Sequence, residues 1–135
     1  MAIEIERKFL LDGMPALPPE AVAYRMEQGY FEDGARIRRT EEPDGTITCT
    51  HTVKKGHGLV REENERTISH DEFRGLWPRT AARRLRKTRY CVKVGELVWE
   101  IDAYDDLDLC LAEVELPSAD TVTPPIVLPP VSETI

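Results

Sequence analysis

The first strand-like segment of the chain carries charged side chains at alternating positions. Glu4, Glu6 and Lys8 are spaced two residues apart, and successive side chains of a strand point to opposite faces. The three charges would therefore share one face, and apolar residues would fill most of the other. A single strand of this kind is equally typical of a solvated face, so the pattern gains meaning only where it recurs.

The same spacing recurs in later segments of the chain. The pairs and triplets are Arg36 and Arg38, Thr50, Thr52 and Lys54, Arg61, Glu63 and Glu65, Lys87 and Arg89, Glu100 and Asp102, and Glu113 and Glu115. If these strands form one sheet with a common register, about eight carboxylates and six basic groups collect on one surface. Carboxylates bind hard divalent cations and basic groups bind phosphate, so this surface would bind a polyanion through metal ions.

Length and composition restrict the architecture that could carry this surface. The chain has 135 residues, of which 41% are hydrophobic, and this favours one domain with a single sheet around a polar interior over a sandwich. A formal charge of −7 argues against a protein that coats nucleic acid, since binding to its backbone requires a net basic surface. The basic residues that matter must be concentrated locally.

The sequence also indicates where the protein resides. No apolar run is long enough to cross a bilayer, and MAIEIERKF lacks the basic-then-apolar layout of a secretory signal. We therefore expect a cytoplasmic protein with no membrane partner. Cys49, Cys91 and Cys110 are odd in number and widely spaced, which suits reduced thiols and provides no Cys-x-x-Cys pair for zinc.

The elements that must position the charges are mostly strands. Patterning predicts strands at 3–11, 24–31, 34–42, 46–55, 59–68, 83–93, 96–103 and 108–116. The glycine-containing turns Asp33-Gly34, Asp44-Gly45, Gly56-His57-Gly58 and Gly95-Glu96 separate neighbours at hairpin spacing. Eight such strands predict a closed antiparallel barrel, which leaves no sheet edge exposed.

One or two short helices are expected outside this barrel. Ser69 and Glu72 have the spacing of a capping box, in which the serine accepts a backbone N–H and the glutamate reaches back. This helix would run through Phe73 and Trp77 to Pro78 and lay its apolar residues on the barrel. A second helix is predicted after Pro18-Pro19, over residues 20–22.

Solvation energy decides which face of the barrel carries the charges. Moving one carboxylate into a dry interior costs on the order of 20 kcal/mol, so an interior lined with ionised groups must contain water. The apolar backs of the strands then need covering, by the helix, by the Pro-rich C-terminal segment or by a second subunit, and a homodimer is one expectation. The alternative is an apolar lumen with a charged exterior, which gives no reason for paired charges on so many strands.

Taken in chain order, seven segments of the sequence resemble the motifs of the CYTH, or triphosphate tunnel metalloenzyme, superfamily. The motifs that carry the resemblance are EIERKFL, RIRRT, HTVKKG, REENERTIS, LRKTRY, WEIDAYDD and LAEVELPS. The small bacterial inorganic tripolyphosphatases are the members that it resembles most. The resemblance implies a mainly β (α+β) domain at 1–118, an eight-stranded antiparallel tunnel, followed by a Pro-rich tail at 119–135 that is atypical of the family.

The resemblance also implies roles for individual residues. The phosphate-binding positions of the family match Lys8, Arg36, Arg38, Lys54, Lys87 and Arg89. The metal-binding acids match Glu4, Glu6, Glu63, Glu65, Asp102, Glu113 and Glu115, with Glu100 less clearly assigned. The catalytic set is Glu4, Glu6, Lys8, Glu63 and Glu65, of which any one of the four glutamates could orient the attacking water.

The function implied is metal-dependent hydrolysis of inorganic triphosphate, with Mg²⁺ or Mn²⁺ as cofactor. Hard cations prefer oxygen ligands, so His51, His57 and His70 need no metal role. Two alternatives stay open. One is a thiamine triphosphatase or a relative of the adenylate cyclases. The other is a module that binds polyphosphate or nucleotide without turnover, because the tail lacks the helical segment with which related proteins close the tunnel.

Overall fold

The computed structural model describes residues 2–56, 59–118 and 132–134. These residues form nine strands, a short α-helix and a 3₁₀ turn. The elements in chain order are β1 (Ala2–Leu10), β2 (Val22–Tyr30), β3 (Arg36–Glu41), β4 (Ile47–Lys55), β5 (Val60–Ile68), α1 (His70–Leu76), the 3₁₀ turn (Trp77–Thr80), β6 (Arg84–Val94), β7 (Leu97–Tyr104), β8 (Cys110–Glu115) and β9 (Ser132–Thr134).

The first eight strands close into an antiparallel barrel. Their order around it is β5-β4-β3-β2-β6-β7-β8-β1, and β1 pairs with β5 through residues such as Ala2 opposite Glu63 to complete the circle. Strand β1 therefore lies diametrically opposite β2. The closed eight-stranded barrel predicted from the sequence is confirmed. The additional strand β9 pairs with Lys8–Leu10 of β1.

Two of the connecting turns show why the chain reverses where it does. Gly34 and Gly45 both have a φ of 89°, a left-handed conformation that favours glycine. Before each glycine, an aspartate side chain accepts a backbone N–H two residues on, from Ala35 to Asp33 and from Thr46 to Asp44, both at 2.9 Å. These Asp-Gly turns set the register of the hairpins β2–β3 and β3–β4.

The strand register sends charges inward and apolar side chains outward. Glu100 lies opposite Glu113 and Arg89 opposite Asp102, and all four are on the inward face. Ile101, between Glu100 and Asp102, and Trp99, just before Glu100, are each 1% exposed and pack on the outer wall. Since cross-strand partners share a face, this alternation continues around the barrel.

Two apolar clusters cover the outer wall. The first lies over β1, β6, β7 and β8 and is covered by residues 11–21; its buried members are Leu11, Val92, Trp99, Ile101, Cys110, Ala112, Val114 and Leu116. The second lies over β3 and β4 and is covered by Phe73 of α1; the other buried members are Phe31, Ala35, Ile37, Cys49 and Ile68. The predicted helix on the barrel's outside is confirmed.

The helix begins as the sequence indicates, with one difference. The Ser69 hydroxyl accepts the backbone N–H of Glu72 at 3.0 Å, which satisfies a donor of the first turn. The Glu72 carboxylate does not return to Ser69 but accepts from Arg66 on β5 at 2.9 Å. A nearby arginine on the adjacent strand thus replaces the second half of the capping box.

The second predicted helix is wrong. Residues 19 and 20 form a turn, and Val22 begins β2 by pairing with Cys91 of β6. Pairing along a whole strand outweighs the weak helical preference of three residues. The predicted tail at 119–135 lies outside the described residues apart from β9, and His57 also lies outside them. Across the ranges 2–56, 59–118 and 132–134, no helix has the length and apolar character needed to span a bilayer.

Candidate active site

The interior of the barrel, here called the bore, contains a cavity of about 240 Å³. Its lining in the described part of the chain is entirely charged or polar. The lining residues are Glu4, Glu6, Lys8, Gln28, Tyr30, Arg36, Arg38, Lys54, Glu63, Glu65, Lys87, Arg89, Glu100, Tyr104, Glu113 and Glu115. Every predicted site residue except Asp102 is among them, and the lining side chains come from all eight strands of the barrel.

The charges in the bore are separated by sign. The acidic wall consists of Glu4 and Glu6 on β1, Glu63 and Glu65 on β5, and Glu113 and Glu115 on β8, three strands that are neighbours in the barrel. The basic wall consists of Arg36 and Arg38 on β3 and Lys87 and Arg89 on β6, which flank β2 on the opposite side. Lys8 and Lys54 contact the acidic wall, and Arg36 at the margin of the basic wall lies 3.9 Å from Glu65.

Asp102 lies beneath the basic wall and holds two of its members. The Asp102 side chain is 0% exposed. It accepts a hydrogen bond from Lys87 Nζ at 2.7 Å and two from Arg89, from Nε at 2.8 Å and from Nη2 at 3.0 Å. Both carboxylate oxygens are therefore engaged by bases. The structure shows that Asp102 contacts these two bases. Its metal-binding role stays a prediction.

This buried cluster shifts the pKa values of its members. Burial, together with the charges of Arg89 and Arg38, lowers the pKa of Lys87 to about 8, although Asp102 opposes the shift. Despite its own burial, Asp102 has a lowered pKa because Arg89 and Lys87 donate hydrogen bonds to its ionised form. Arg89 also donates to Glu100 at 3.1 Å, across the edge of the basic wall.

Arg38 is held differently, by a neutral side chain. Its Nε donates to Gln28 Oε1 at 2.8 Å, and Gln28 Nε2 donates to the Tyr30 hydroxyl at 2.7 Å. Burial and the charges of Arg36 and Arg89 lower the pKa of Arg38 to about 10, so the guanidinium stays protonated at neutral pH. In the part of the chain that the structure describes, Arg36 Nε is buried without a hydrogen-bond acceptor, as expected of a group that binds a ligand.

On the acidic wall, Glu4 and Glu63 form a coupled pair beside Lys54. Lys54 Nζ lies 3.0 Å from Glu4 Oε1 and 3.7 Å from Glu63 Oε2. A hydrogen bond to Glu4, added to burial, raises the pKa of Glu63 to about 7. Burial acts in the same upward direction on Glu4, but hydrogen bonds and the Lys54 charge outweigh it and lower the pKa of Glu4 to about 2. Near neutral pH the pair holds about one proton between its two carboxyl groups.

A second carboxyl pair follows along the bore. Burial and the charges of Glu113 and Glu4 raise the pKa of Glu6 to about 8. Burial opposes ionisation of Glu113 too, but Lys8, with Nζ 3.4 Å from Glu113 Oε1, helps to hold the Glu113 pKa low. This pair also shares a proton near neutral pH. Two sites of concentrated negative charge therefore lie side by side on the acidic wall.

The acidic wall suits a hard divalent cation in its chemistry. Across the described ranges 2–56, 59–118 and 132–134, no three Asp, Glu, His or Cys side chains are grouped closely enough to form a complete metal site. Neighbouring carboxyl groups contact one another in series, Glu63 with Glu4, Glu4 with Glu6 and Glu6 with Glu113. Mg²⁺ is commonly bound by one or two carboxylates, with waters and substrate phosphates as its other ligands. A cation could take the place of the proton that Glu4 and Glu63, or Glu6 and Glu113, share.

Three lining residues were missed by the sequence reasoning. Gln28, Tyr30 and Tyr104 are neutral, and they were not distinguished because the charge pattern alone defined the inward face. Tyr104 lies under Lys87, whose Nζ is 5.5 Å from the ring centroid, and burial raises the pKa of its hydroxyl. The available signal was alternation: Gln28 and Tyr30 are two residues apart on a predicted strand.

The chain is similar in sequence to a protein of named activity. No protein-family model matches the chain. The inorganic triphosphatase of Nitrosomonas europaea is 40% identical over 124 residues, which cover 87% of this chain and 78% of that protein.

Solved structures show the same likeness. The crystal structure of the inorganic triphosphatase NE1496 has a TM-score of 0.59 and 32% identity, covering 96% of this chain and 87% of that one. The PH1819 protein from Pyrococcus horikoshii OT3, at 17% identity and a TM-score of 0.63, covers 87% of this chain and 80% of its own, and shares the fold. With the barrel, the charged bore and these relatives together, the chain belongs to the inorganic triphosphatase family and is a CYTH-like protein.

Proposed function

We propose that this protein hydrolyses inorganic triphosphate to pyrophosphate and phosphate inside the bore, with Mg²⁺ or Mn²⁺ bound at the acidic wall. The observation that carries the proposal is the separation of charge between two opposite walls of one cavity. A polyanion needs the basic wall, and the cations that accompany it need the acidic wall. The named activity of the Nitrosomonas europaea relative supports the choice of reaction.

The basic wall would bind and orient the phosphates. The guanidinium groups of Arg36, Arg38 and Arg89 offer planar sets of donors that match phosphate oxygens, and Lys87 adds a point charge. In phosphoryl transfer most of the catalytic effect comes from such positioning and from neutralising charge on oxygen. The buried Nε of Arg36, which has no acceptor among the described residues, is available for one of these contacts.

The acidic wall would serve the cation and the water. Glu4, Glu6, Glu63 and Glu113 would hold the cation, which when bound neutralises phosphate charge and lowers the pKa of coordinated water. In the reaction a water attacks a terminal phosphorus, the bond from phosphorus to the bridging oxygen breaks, and pyrophosphate leaves with the electron pair. The proton of the water passes to a carboxylate. Glu4, Glu6, Glu63 and Glu65 are the predicted candidates for this carboxylate.

The lining of the bore favours an inorganic substrate over a nucleotide. Among the described residues it has no aliphatic side chain, and its aromatic residues, Tyr30 and Tyr104, are both half-buried. A nucleobase or a thiamine ring would gain little from burial in such a cavity. The proposed substrate therefore consists of phosphate alone.

Phosphate release from tripolyphosphate tests the proposal directly. We expect release with Mg²⁺ or Mn²⁺, its loss with a chelator, and a fall on the order of 100-fold or more in Glu4→Ala and Lys8→Ala. Glu27→Gln, on the outer face of β2, is the matched control and should keep full activity. ATP, thiamine triphosphate and long polyphosphate, measured under identical metal conditions, should be poorer substrates.

Two results would reject this function. One is no phosphate release above a protein-free control, with either metal, from neutral to alkaline pH. The other is tight, metal-dependent binding of tripolyphosphate in calorimetry without any product, which would support the binding module instead. The cytoplasmic location, the homodimer and the absence of a nucleic-acid partner stay predictions.

A further inference from the structure

We propose that Gln28 is a positioning residue that fixes the guanidinium of Arg38 through a neutral amide and not through a carboxylate. The role rests on the proposed function, because Arg38 matters as a phosphate ligand. Gln28 was not identified from the charge pattern, and its side chain is nearly inaccessible, with the residue 2% exposed. It acts through Arg38 and not by touching the reacting atoms.

The hydrogen bonds of Gln28 determine its orientation. Arg38 Nε can only donate, so the atom that faces it at 2.8 Å must be the amide oxygen of Gln28. The amide nitrogen must then face Tyr30, where it donates to the hydroxyl at 2.7 Å. If the amide were flipped, its NH₂ group would face the Nε–H of Arg38, and two donors would meet without an acceptor. The network therefore permits one arrangement.

This arrangement orients Arg38 before any ligand arrives. Binding at Nε fixes the plane of the guanidinium, and its terminal Nη groups are left for the bore that Arg38 lines. Two donors in a fixed plane match two phosphate oxygens. A flexible arginine would lose conformational entropy on binding, and much of that loss is avoided when the side chain is already held.

The neutrality of Gln28 is the second half of the argument. Lys87 and Arg89 are held by the Asp102 carboxylate, which offsets part of their charge. In the described part of the chain, the group that holds Arg38 is an uncharged amide. Gln28 and Arg38 are direct cross-strand partners, so a carboxylate at position 28 would pair with Arg38. An amide orients the guanidinium without competing with phosphate for its charge.

Two substitutions separate orientation from neutrality. Gln28→Glu keeps an acceptor for Arg38 Nε and adds a negative charge, whereas Gln28→Leu removes the acceptor at similar volume. Glu27→Gln is the control on the same strand, because its side chain lies on the outer face and pairs with Arg86. For each protein we would measure KM and kcat for tripolyphosphate, the urea midpoint of unfolding, and hydrogen exchange of the Arg38 Nε–H by NMR.

The expected results differ between the variants. Gln28→Glu should unfold at a urea concentration no lower than the wild type, yet raise KM roughly tenfold or more, because a partly compensated guanidinium binds phosphate less well. Gln28→Leu should also raise KM and should lose the slow exchange of the Arg38 Nε–H. Glu27→Gln should change neither KM nor this exchange.

Gln28→Glu preserves the hydrogen bond to Arg38 and changes only the charge at position 28. If its KM equals that of the wild type, the neutrality of Gln28 does not matter for phosphate binding. Unchanged KM and unchanged Nε–H exchange in Gln28→Leu would overturn positioning itself. If Gln28→Leu does not fold, the Gln28→Glu kinetics still decide the proposal. A wild-type protein that releases no phosphate would reject the proposed function. Positioning would still be established if the Arg38 Nε–H exchanges slowly in the wild type and rapidly in Gln28→Leu.

Discussion

Replacing Asp102 by asparagine should destabilise the barrel by an amount that depends on pH. Asp102 is 0% exposed and bonds to Lys87 and Arg89, whose side chains are 4% and 11% exposed. The substitution keeps the shape of the side chain and removes its charge. Two buried cations would then remain with no buried carboxylate between them.

The magnitude follows from the burial of the partners. Removing one member of a buried ion pair typically costs about 3–5 kcal/mol, because the remaining charge stays desolvated. We expect the free energy of unfolding to fall by about that amount near pH 6. Glu27→Gln breaks an ion pair with Arg86 whose side chains are 29% and 67% exposed, and should cost less than about 1 kcal/mol.

The pH dependence identifies the partner. Lys87 has a pKa of about 8 in the folded protein, lowered from 10.5, so it is charged at pH 6 and mostly neutral by about pH 9. Loss of the Asp102 charge should lower this pKa further, since that charge opposes the shift. The lost attraction between Lys87 and Asp102 counts only while Lys87 is protonated. The destabilisation of Asp102→Asn should therefore shrink between about pH 6 and pH 9.

Urea unfolding, followed by tryptophan fluorescence at both pH values, measures these quantities. The double variant Asp102→Asn with Lys87→Met should recover part of the stability, because it removes one unpaired charge. The reasoning fails if Asp102→Asn stays within about 1 kcal/mol of the wild type near pH 6, or if its cost is the same at both pH values.

The remaining predictions concern the acidic wall and the packing of β2. Without divalent cations, thermal stability should fall as pH rises from about 5 to 8, because the folded-state pKa values of Glu63 and Glu6 are raised to about 7 and about 8 from 4.5. Mg²⁺ should reduce this fall and Glu6→Gln should weaken it; calorimetry that shows a flat profile in the wild type would contradict the argument. Gly29→Ala should destabilise by about 1–3 kcal/mol, since an added Cβ would lie 2.5 Å from Cβ of the buried Thr80. At Gly13 an added Cβ would meet no atom of the described residues within 4 Å, so Gly13→Ala should be nearly neutral in the same urea measurement.

Most of the fold could be predicted from the sequence because the charges mark both a strand and its inward face. The two-residue spacing of Glu4 and Glu6, or of Lys87 and Arg89, is incompatible with one face of a helix and fits one face of a strand. Asp-Gly dipeptides then fix where the hairpins reverse. The closed barrel follows because open edges would be left unpaired.

The neutral residues of the bore could not be predicted in the same way. Gln28 and Tyr30 lie on β2, whose inward face carries no charge pair, and a polar side chain at such a position is equally compatible with solvent. The start of β2 was mistaken for a helix for the same reason. Its strand character depends on pairing with β6, which is not visible in the local sequence.

The different environments of Asp102 and Glu100 could not be predicted from the sequence either. In the sequence Asp102 resembles Glu100, two residues earlier on the same face, and both were grouped with the tunnel acids. Both acids accept from Arg89, but Asp102 lies directly opposite Arg89, also accepts from Lys87 and is fully buried. Glu100 lies opposite Cys91 and Glu113 and lines the bore. Strand spacing alone does not provide that information.

Strand order explains why the two walls oppose each other. Closure requires β1 to pair with both β5 and β8, which places its two glutamates at the centre of the acidic wall. The strand diametrically opposite is β2, between the arginines of β3 and the bases of β6. An inward acid on β2 would lie among those bases and offset their charge across the width of the wall. The neutral inward side chains Gln28 and Tyr30 avoid this, so the least conspicuous strand in the sequence is the one that lets the basic wall keep its charge for a phosphate ligand.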